Sequence, residues 1–65
     1  HLRPAQAATL RAWVARVSHD QQALTRRGHE TYGEAVAISH EQNRIDWSIH
    51  TGQAVPTRVP PSTVS

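Results

Sequence analysis

Apolar residues recur at helical spacing through the second half of the chain. Between Thr31 and Gly52 they are separated by three or four positions, which places them on one face of an α-helix. Thr31 suits the N-cap position, and Glu34 three residues later completes a capping box. Gly52 is typical of a helix C-terminus. We therefore predict a helix over about residues 31–51, with this stripe: Ala35, Ile38, Gln42, Ile45 and Ile49.

The first half of the chain has a second stripe with the same spacing. Pro4 favours the first turn of a helix, and no Gly or Pro follows until Gly28, which suits the C-terminal cap. We predict a helix over about residues 4–27. Its stripe consists of Leu10, Val14, Val17, Gln21 and Leu24.

The short connection at residues 28–30 favours antiparallel neighbours. We predict an all-α fold in which residues 1–52 form a two-helix hairpin that completes a bundle by association. Folding the chain at the connection pairs Leu24 with Thr31, Val17 with Ile38 and Leu10 with Ile45. The predicted core and association stripe consists of Leu10, Val14, Val17, Leu24, Ile38, Ile45 and Ile49.

Two glutamines interrupt the apolar stripes. In the hairpin register given above, Gln21 and Gln42 do not face each other, so they can meet only in a different pairing, for instance between subunits. Polar residues at such positions often fix the register or the number of subunits.

Residues 53–65 carry three prolines and no periodic pattern, which predicts an extended tail with polyproline II character. We expect this tail to be held by the hairpin or by a neighbouring chain. The tail residues predicted to contact a partner are Val55, Pro56, Val59 and Pro60.

The composition favours association and excludes disulfides. A chain of 65 residues buries little apolar surface, and without cysteine it has neither disulfides nor thiolate metal sites. No apolar run approaches the roughly 20 residues that span a bilayer, so we expect no membrane partner. The absence of cysteine fits a cytoplasmic protein.

The net charge of +2 is unevenly distributed. Residues 1–29 carry five arginines against one aspartate, and residues 30–52 carry four acidic residues against one arginine. A basic helix followed by an acidic helix can satisfy its charges within a hairpin.

Both tryptophans flank the apolar stripes. We expect Trp13 and Trp47 to be substantially exposed in an isolated hairpin and to contact a partner, since tryptophan is a frequent interface anchor. The alternative is that each covers an alanine-rich edge of its own hairpin.

The sequence offers no catalytic, metal or cofactor site. No histidine pair has the i,i+4 spacing of a helical metal site. Ser18-His19-Asp20 contains the residue types of a catalytic triad, but adjacent helical residues point about 100° apart. We therefore expect a protein that is not an enzyme.

Two segments resemble parts of DNA-binding proteins. Residues 10–28 resemble the first two helices of phage-repressor-type helix-turn-helix domains, and Ile45, Ile49, Gly52 and Arg58-Val59 resemble the recognition helix and wing of excisionase-like proteins. The two resemblances do not join into one domain, so they indicate no family. If DNA were bound, the candidate contacts would be Gln42, Asn43 and Arg44.

The leading hypothesis is a small helical module for protein–protein interaction or assembly, which associates with itself or docks on a larger partner. The alternative is a small helix-turn-helix regulator of antitoxin or excisionase type, for which nucleic acid is the partner.

Overall fold

The computed structural model describes all 65 residues and contains two helices and no strand. Helix α1 spans Pro4–Arg27 and helix α2 spans Tyr32–Thr51. The helices pack against each other, and side-chain contacts from Trp13 to Glu41 and from Arg27 to Glu34 fix their antiparallel direction. The predicted all-helical hairpin is confirmed.

The helix ends follow local sequence chemistry. The Thr31 hydroxyl accepts from the Glu34 N–H at 3.1 Å, and the Glu34 carboxylate accepts from the Thr31 N–H at 3.0 Å. This capping box satisfies free donors in the first turn of α2. Gly28 and Gly52 end the two helices in the left-handed conformation, at φ values of 83° and 69°.

The core is a single layer between the helices. It contains an unexpected residue, Trp13, together with five of the seven predicted stripe residues. The remaining two, Val14 and Ile49, are 45% and 48% exposed, so they are not in the core of the isolated hairpin, and the association role also predicted for this stripe stays a prediction. Both line one surface depression between the helices. The buried stripe residues are Leu10, Val17, Leu24, Ile38 and Ile45.

The register of the hairpin differs from the predicted one. Leu24 lines the same depression as Ile38 rather than meeting Thr31, and Val17 lines one with Ile45.

The new register also brings the two glutamines into one groove. Gln21 and Gln42 line the same two depressions, contrary to the expectation that they would be apart in the hairpin. Both side chains remain exposed.

Residues 53–65 contain no helix or strand and return along the hairpin toward its loop. Ser62 contacts Asp20 near the middle of the hairpin, and Ser65 contacts Glu34 beside the connection. Val55 and Val64 pack against the core cluster. The tail therefore covers one face of the hairpin, here called the tail face.

The opposite face has no such cover and is here called the open groove. It is lined along its middle by Val14, Val17 and Gln21 from α1 and by Gln42, Ile45 and Ile49 from α2. Neither this set nor the rest of the groove includes a residue that hydrogen-bonds to the tail. The molecule measures 38 × 16 × 14 Å.

Candidate interaction surfaces

Three buried carboxylates lie on the tail face. Asp20, Glu34 and Glu41 are each no more than 6% exposed. Buried carboxylates are costly unless they are paired and hydrogen-bonded, so their partners decide what this face can do. All three have partners in both the hairpin and the tail.

Trp13 forms the floor of the tail face. It is fully buried, which overturns the prediction that it would be exposed. Its indole Nε1–H donates to Glu41 Oε2 at 3.0 Å, and the Arg44 guanidinium lies 4.9 Å from its ring centroid. A buried acceptor on the facing helix thus allows an off-stripe tryptophan to enter the core without an unsatisfied indole N–H.

Arg16 connects both helices to the tail. One terminal nitrogen donates to the carbonyl oxygens of Pro60 and Pro61, each at 2.6 Å. The other donates to Glu41 Oε1 at 2.5 Å and lies 3.2 Å from Asp20 Oδ2. The planar guanidinium can serve these partners together because its donors point in fixed, divergent directions.

The tail supplies one donor to each buried carboxylate. The Ser62 hydroxyl donates to Asp20 at 2.7 Å, and the Thr63 hydroxyl lies 3.5 Å from Glu41 Oε1. The Ser65 N–H donates to Glu34 Oε2 at 3.1 Å. The tail face is therefore a polar site that provides a partner for each of these tail groups, while Arg16 Nε and Asp20 Oδ2 are buried without a hydrogen-bond partner.

Glu34 is the most strongly perturbed acid. Hydrogen bonds from Arg27, and then from the Thr31 and Ser65 N–H groups, hold the pKa of the Glu34 carboxyl well below its usual range. The same ion pair raises the pKa of Arg27. Arg27 and Glu34, like Arg16 and Glu41, join the basic helix to the acidic one, as the charge distribution indicated.

Residues important to the tail face were missed by the sequence analysis, although a weak signal was present. Trp13, Arg16 and Asp20 are spaced by three and four positions, beside the main stripe of α1. Glu34 and Glu41 are seven residues apart on α2, and Ser48 follows at the same interval. A polar stripe beside an apolar one is ordinarily solvent-exposed, so only the presence of Trp13 on the same face indicated burial.

The other predicted contact residues are divided among several surfaces. Trp47 is 57% exposed and lies on the outer side of α2 with Val36. In the tail, Val55, Pro56 and Pro60 are half-buried, and only Val59 is classed as exposed. Val55 packs against the hairpin of its own chain.

The three candidate DNA contacts do not form one surface. Gln42 lines the open groove, Asn43 is exposed on the outer side of α2, and Arg44 stacks over Trp13. The structure thus distributes them over three directions around α2.

The helices also lack other recognisable sites. No group of three or more His, Asp or Glu side chains is arranged to hold a metal ion. Neither helix combines the length and the apolar character that crossing a membrane requires. The chain matches no protein-family model, no curated protein and no solved structure.

Proposed function

We propose that this chain is a non-enzymatic assembly module, which pairs its open groove with the open groove of a second copy. The two hairpins would complete a four-helix bundle around a two-fold axis. The observation that carries the proposal is the exposure of Val14 and Ile49 beside buried core residues in one groove. The extended tail would stay on the outside of this bundle.

The isolated hairpin has more surface than its mass requires. Its accessible surface is 4606 Å², whereas a compact protein of 7.2 kDa exposes roughly 4,100 Å². The excess accompanies an elongated shape with only one layer of core. Association through the groove would cover apolar surface and supply the missing second layer.

The polar residues of the groove favour a second copy as its occupant. In an antiparallel two-fold pair, the loop end of one hairpin lies beside the open end of the other. Arg11 lines the groove at the open end and Glu30 lines it at the loop end. In this symmetric arrangement, Arg11 of each copy lies opposite Glu30 of the other copy. The same pair therefore occurs twice, as an isologous interface requires.

The glutamines would mark the centre of this pairing. Gln21 and Gln42 lie between the two charged ends of the groove, close to the position of the two-fold axis. An amide group both donates and accepts, so it can pair with its own symmetry copy. Such buried amides disfavour other registers because a shift leaves them without partners.

The experiment is sedimentation velocity of the full chain over a range of concentrations. We expect a discrete dimer of twice the 7.2 kDa chain mass. Val14→Asp and Ile49→Asp should each give a helical monomer, because both positions are exposed in the isolated hairpin. Val36→Asp is the matched control: Val36 is 48% exposed but lies outside the groove, so this variant should remain dimeric.

Two results would overturn the proposal. One is a folded wild-type monomer at all concentrations. The other is an equal loss of association in Val36→Asp. Tight binding of duplex DNA by that monomer, with affinity falling steeply as salt increases, would instead favour the helix-turn-helix alternative.

A further inference from the structure

The tail face has the properties of a peptide-binding site that its own chain occupies. Residues 60–65 contribute two carbonyl acceptors, two hydroxyl groups and one N–H group, and each of them meets a partner on the hairpin. The partner side chains are Arg16, Asp20, Glu34 and Glu41, which project from both helices. The site is therefore complementary to a Pro-Pro-Ser-Thr-Val-Ser segment.

We infer that the tail face also binds the tail of a second copy, so that chains exchange residues 60–65 between hairpins. This inference goes beyond the paired open grooves and uses the opposite face of the hairpin. The contacts at the site are the same whether the segment comes from its own chain or from a neighbour. Only the linker, residues 53–59, distinguishes the two states.

The linker is long enough to reach another hairpin. Its seven residues span up to roughly 23 Å when extended. The two shorter dimensions of the molecule are 16 and 14 Å. The second half of the linker is weakly held, since Thr57, Arg58 and Val59 are exposed and form no hydrogen bond, whereas Gln53, Ala54 and Val55 contact the hairpin. The tail face of a hairpin that packs directly against this tail face is thus within reach without unfolding either helix.

The linker contains a strained residue when the tail is bound to its own hairpin. Ala54 has a φ value of 56°, a left-handed conformation that side chains with a Cβ atom disfavour. This conformation helps the chain turn back from the end of α2 onto its own hairpin. A linker that crosses to a neighbour can relax Ala54 to an extended conformation, which favours exchange.

The absence of native cysteine permits a direct test on full-length chains. Ser62 Oγ and Asp20 Oδ1 are 2.7 Å apart, so the bound tail brings cysteines at these positions near each other, and a small movement of the tail would let them form a disulfide. The double variant D20C/S62C should form this disulfide within one chain at low concentration. This control shows that the two cysteines can link when the tail is bound. The test itself mixes chains carrying only D20C with chains carrying only S62C at high concentration.

We expect the mixture to give a covalent heterodimer, several-fold in excess of a mixture of S62C with H19C. His19 is an exposed residue of the same helix that lies outside both the open groove and the tail face. Mass spectrometry of the linked peptides separates the heterodimer from dimers of either variant with itself. A yield equal to that of the control mixture would overturn the inference.

A second measurement avoids substitution of the buried Asp20. Wild-type chains labelled with ¹³C are mixed with unlabelled chains and equilibrated, and isotope-filtered NOE spectra then report contacts between different chains. Exchange predicts contacts from the Val64 methyl groups to core methyl groups of the other chain, since Val64 packs against the core cluster. Their absence would exclude exchange, even if the open grooves still pair the chains.

Discussion

The indole N–H of Trp13 donates to Glu41 Oε2 across the helix interface at 3.0 Å. The pair lies beneath the tail, and the second oxygen of the same carboxylate accepts from Arg16. The Glu41 carboxylate thus accepts hydrogen bonds both from Trp13 in the core and from Arg16, which holds the tail. Changes to either partner should affect both hairpin stability and tail attachment.

Replacing Trp13 tests how much the hydrogen bond from Trp13 to Glu41 contributes to the free energy of unfolding. Trp13→Phe leaves an aromatic ring but removes the only donor to Glu41 Oε2, so we expect a loss of about 1–3 kcal/mol in the free energy of unfolding. Urea denaturation followed by circular dichroism measures the loss. Trp47→Phe is the control and should stay within about 0.5 kcal/mol of the wild type, because Trp47 is 57% exposed. Equal losses in the two variants would contradict this account.

The glycines Gly52 and Gly33 should respond in opposite directions to alanine. Gly52 has a φ value of +69°, and a Cβ atom there would lie 3.1 Å from the His1 nitrogen. Gly52→Ala should therefore destabilise the chain by about 1–2 kcal/mol. Gly33 is helical with open space around it, so Gly33→Ala should stabilise the chain by about 0.4–1 kcal/mol. Thermal unfolding of the two variants checks the predicted signs.

Acid should weaken the contact between the loop and the tail through Glu34. Because the folded state lowers the pKa of Glu34, its ionised form stabilises the fold at neutral pH. This contribution is complete above the ordinary glutamate pKa of about 4.3 and is lost progressively as the pH falls below it. Urea midpoints measured between pH 7 and pH 2 should show this loss.

Glu34→Gln supplies the comparison for the acid effect. The variant should be less stable than the wild type at pH 7, since it loses the charged partner of Arg27. The urea midpoint of this variant should change less between pH 5 and pH 2 than the midpoint of the wild type. Parallel pH profiles for the two proteins would show that Glu34 is not responsible for the acid response.

Arg16→Lys should loosen the tail while leaving the helices formed. Lysine cannot reproduce the planar fork that serves Pro60, Pro61 and Glu41 together. We expect amide exchange at Ser65 to become at least tenfold faster, since its N–H group donates to Glu34 only when the tail is in place. Arg11→Lys alters an exposed arginine away from the tail and should leave this rate unchanged. An exchange rate unaffected by Arg16→Lys would contradict the proposed attachment.

The parts of the fold that depend on local sequence could be predicted. Thr31, Glu34 and Gly52 mark the ends of α2 through groups only a few residues apart, and the apolar stripes identify the faces that meet. The charge distribution likewise indicated ion pairs between the helices, which Arg27 and Glu34 form.

The parts that depend on distant partners could not be predicted. Trp13 appeared exposed because its position flanks the stripe, and only the facing Glu41 makes its burial favourable. The hairpin register depended on packing between residues far apart in the sequence, which placed Gln21 and Gln42 in one groove. The tail has no periodic pattern, so its site on the hairpin follows from side chains far away in the sequence.

The mode of tail attachment has a consequence for how this protein can change during evolution. Pro60 and Pro61 bind through carbonyl oxygens and Ser65 through its N–H, groups that almost any residue supplies. Positions 60, 61 and 65 can therefore change in sequence while their contacts persist, whereas the Ser62 and Thr63 hydroxyls and the receiving side chains cannot. Divergent relatives should be easier to recognise by the spacing of Arg16, Asp20 and Glu41 than by the residues at positions 60, 61 and 65.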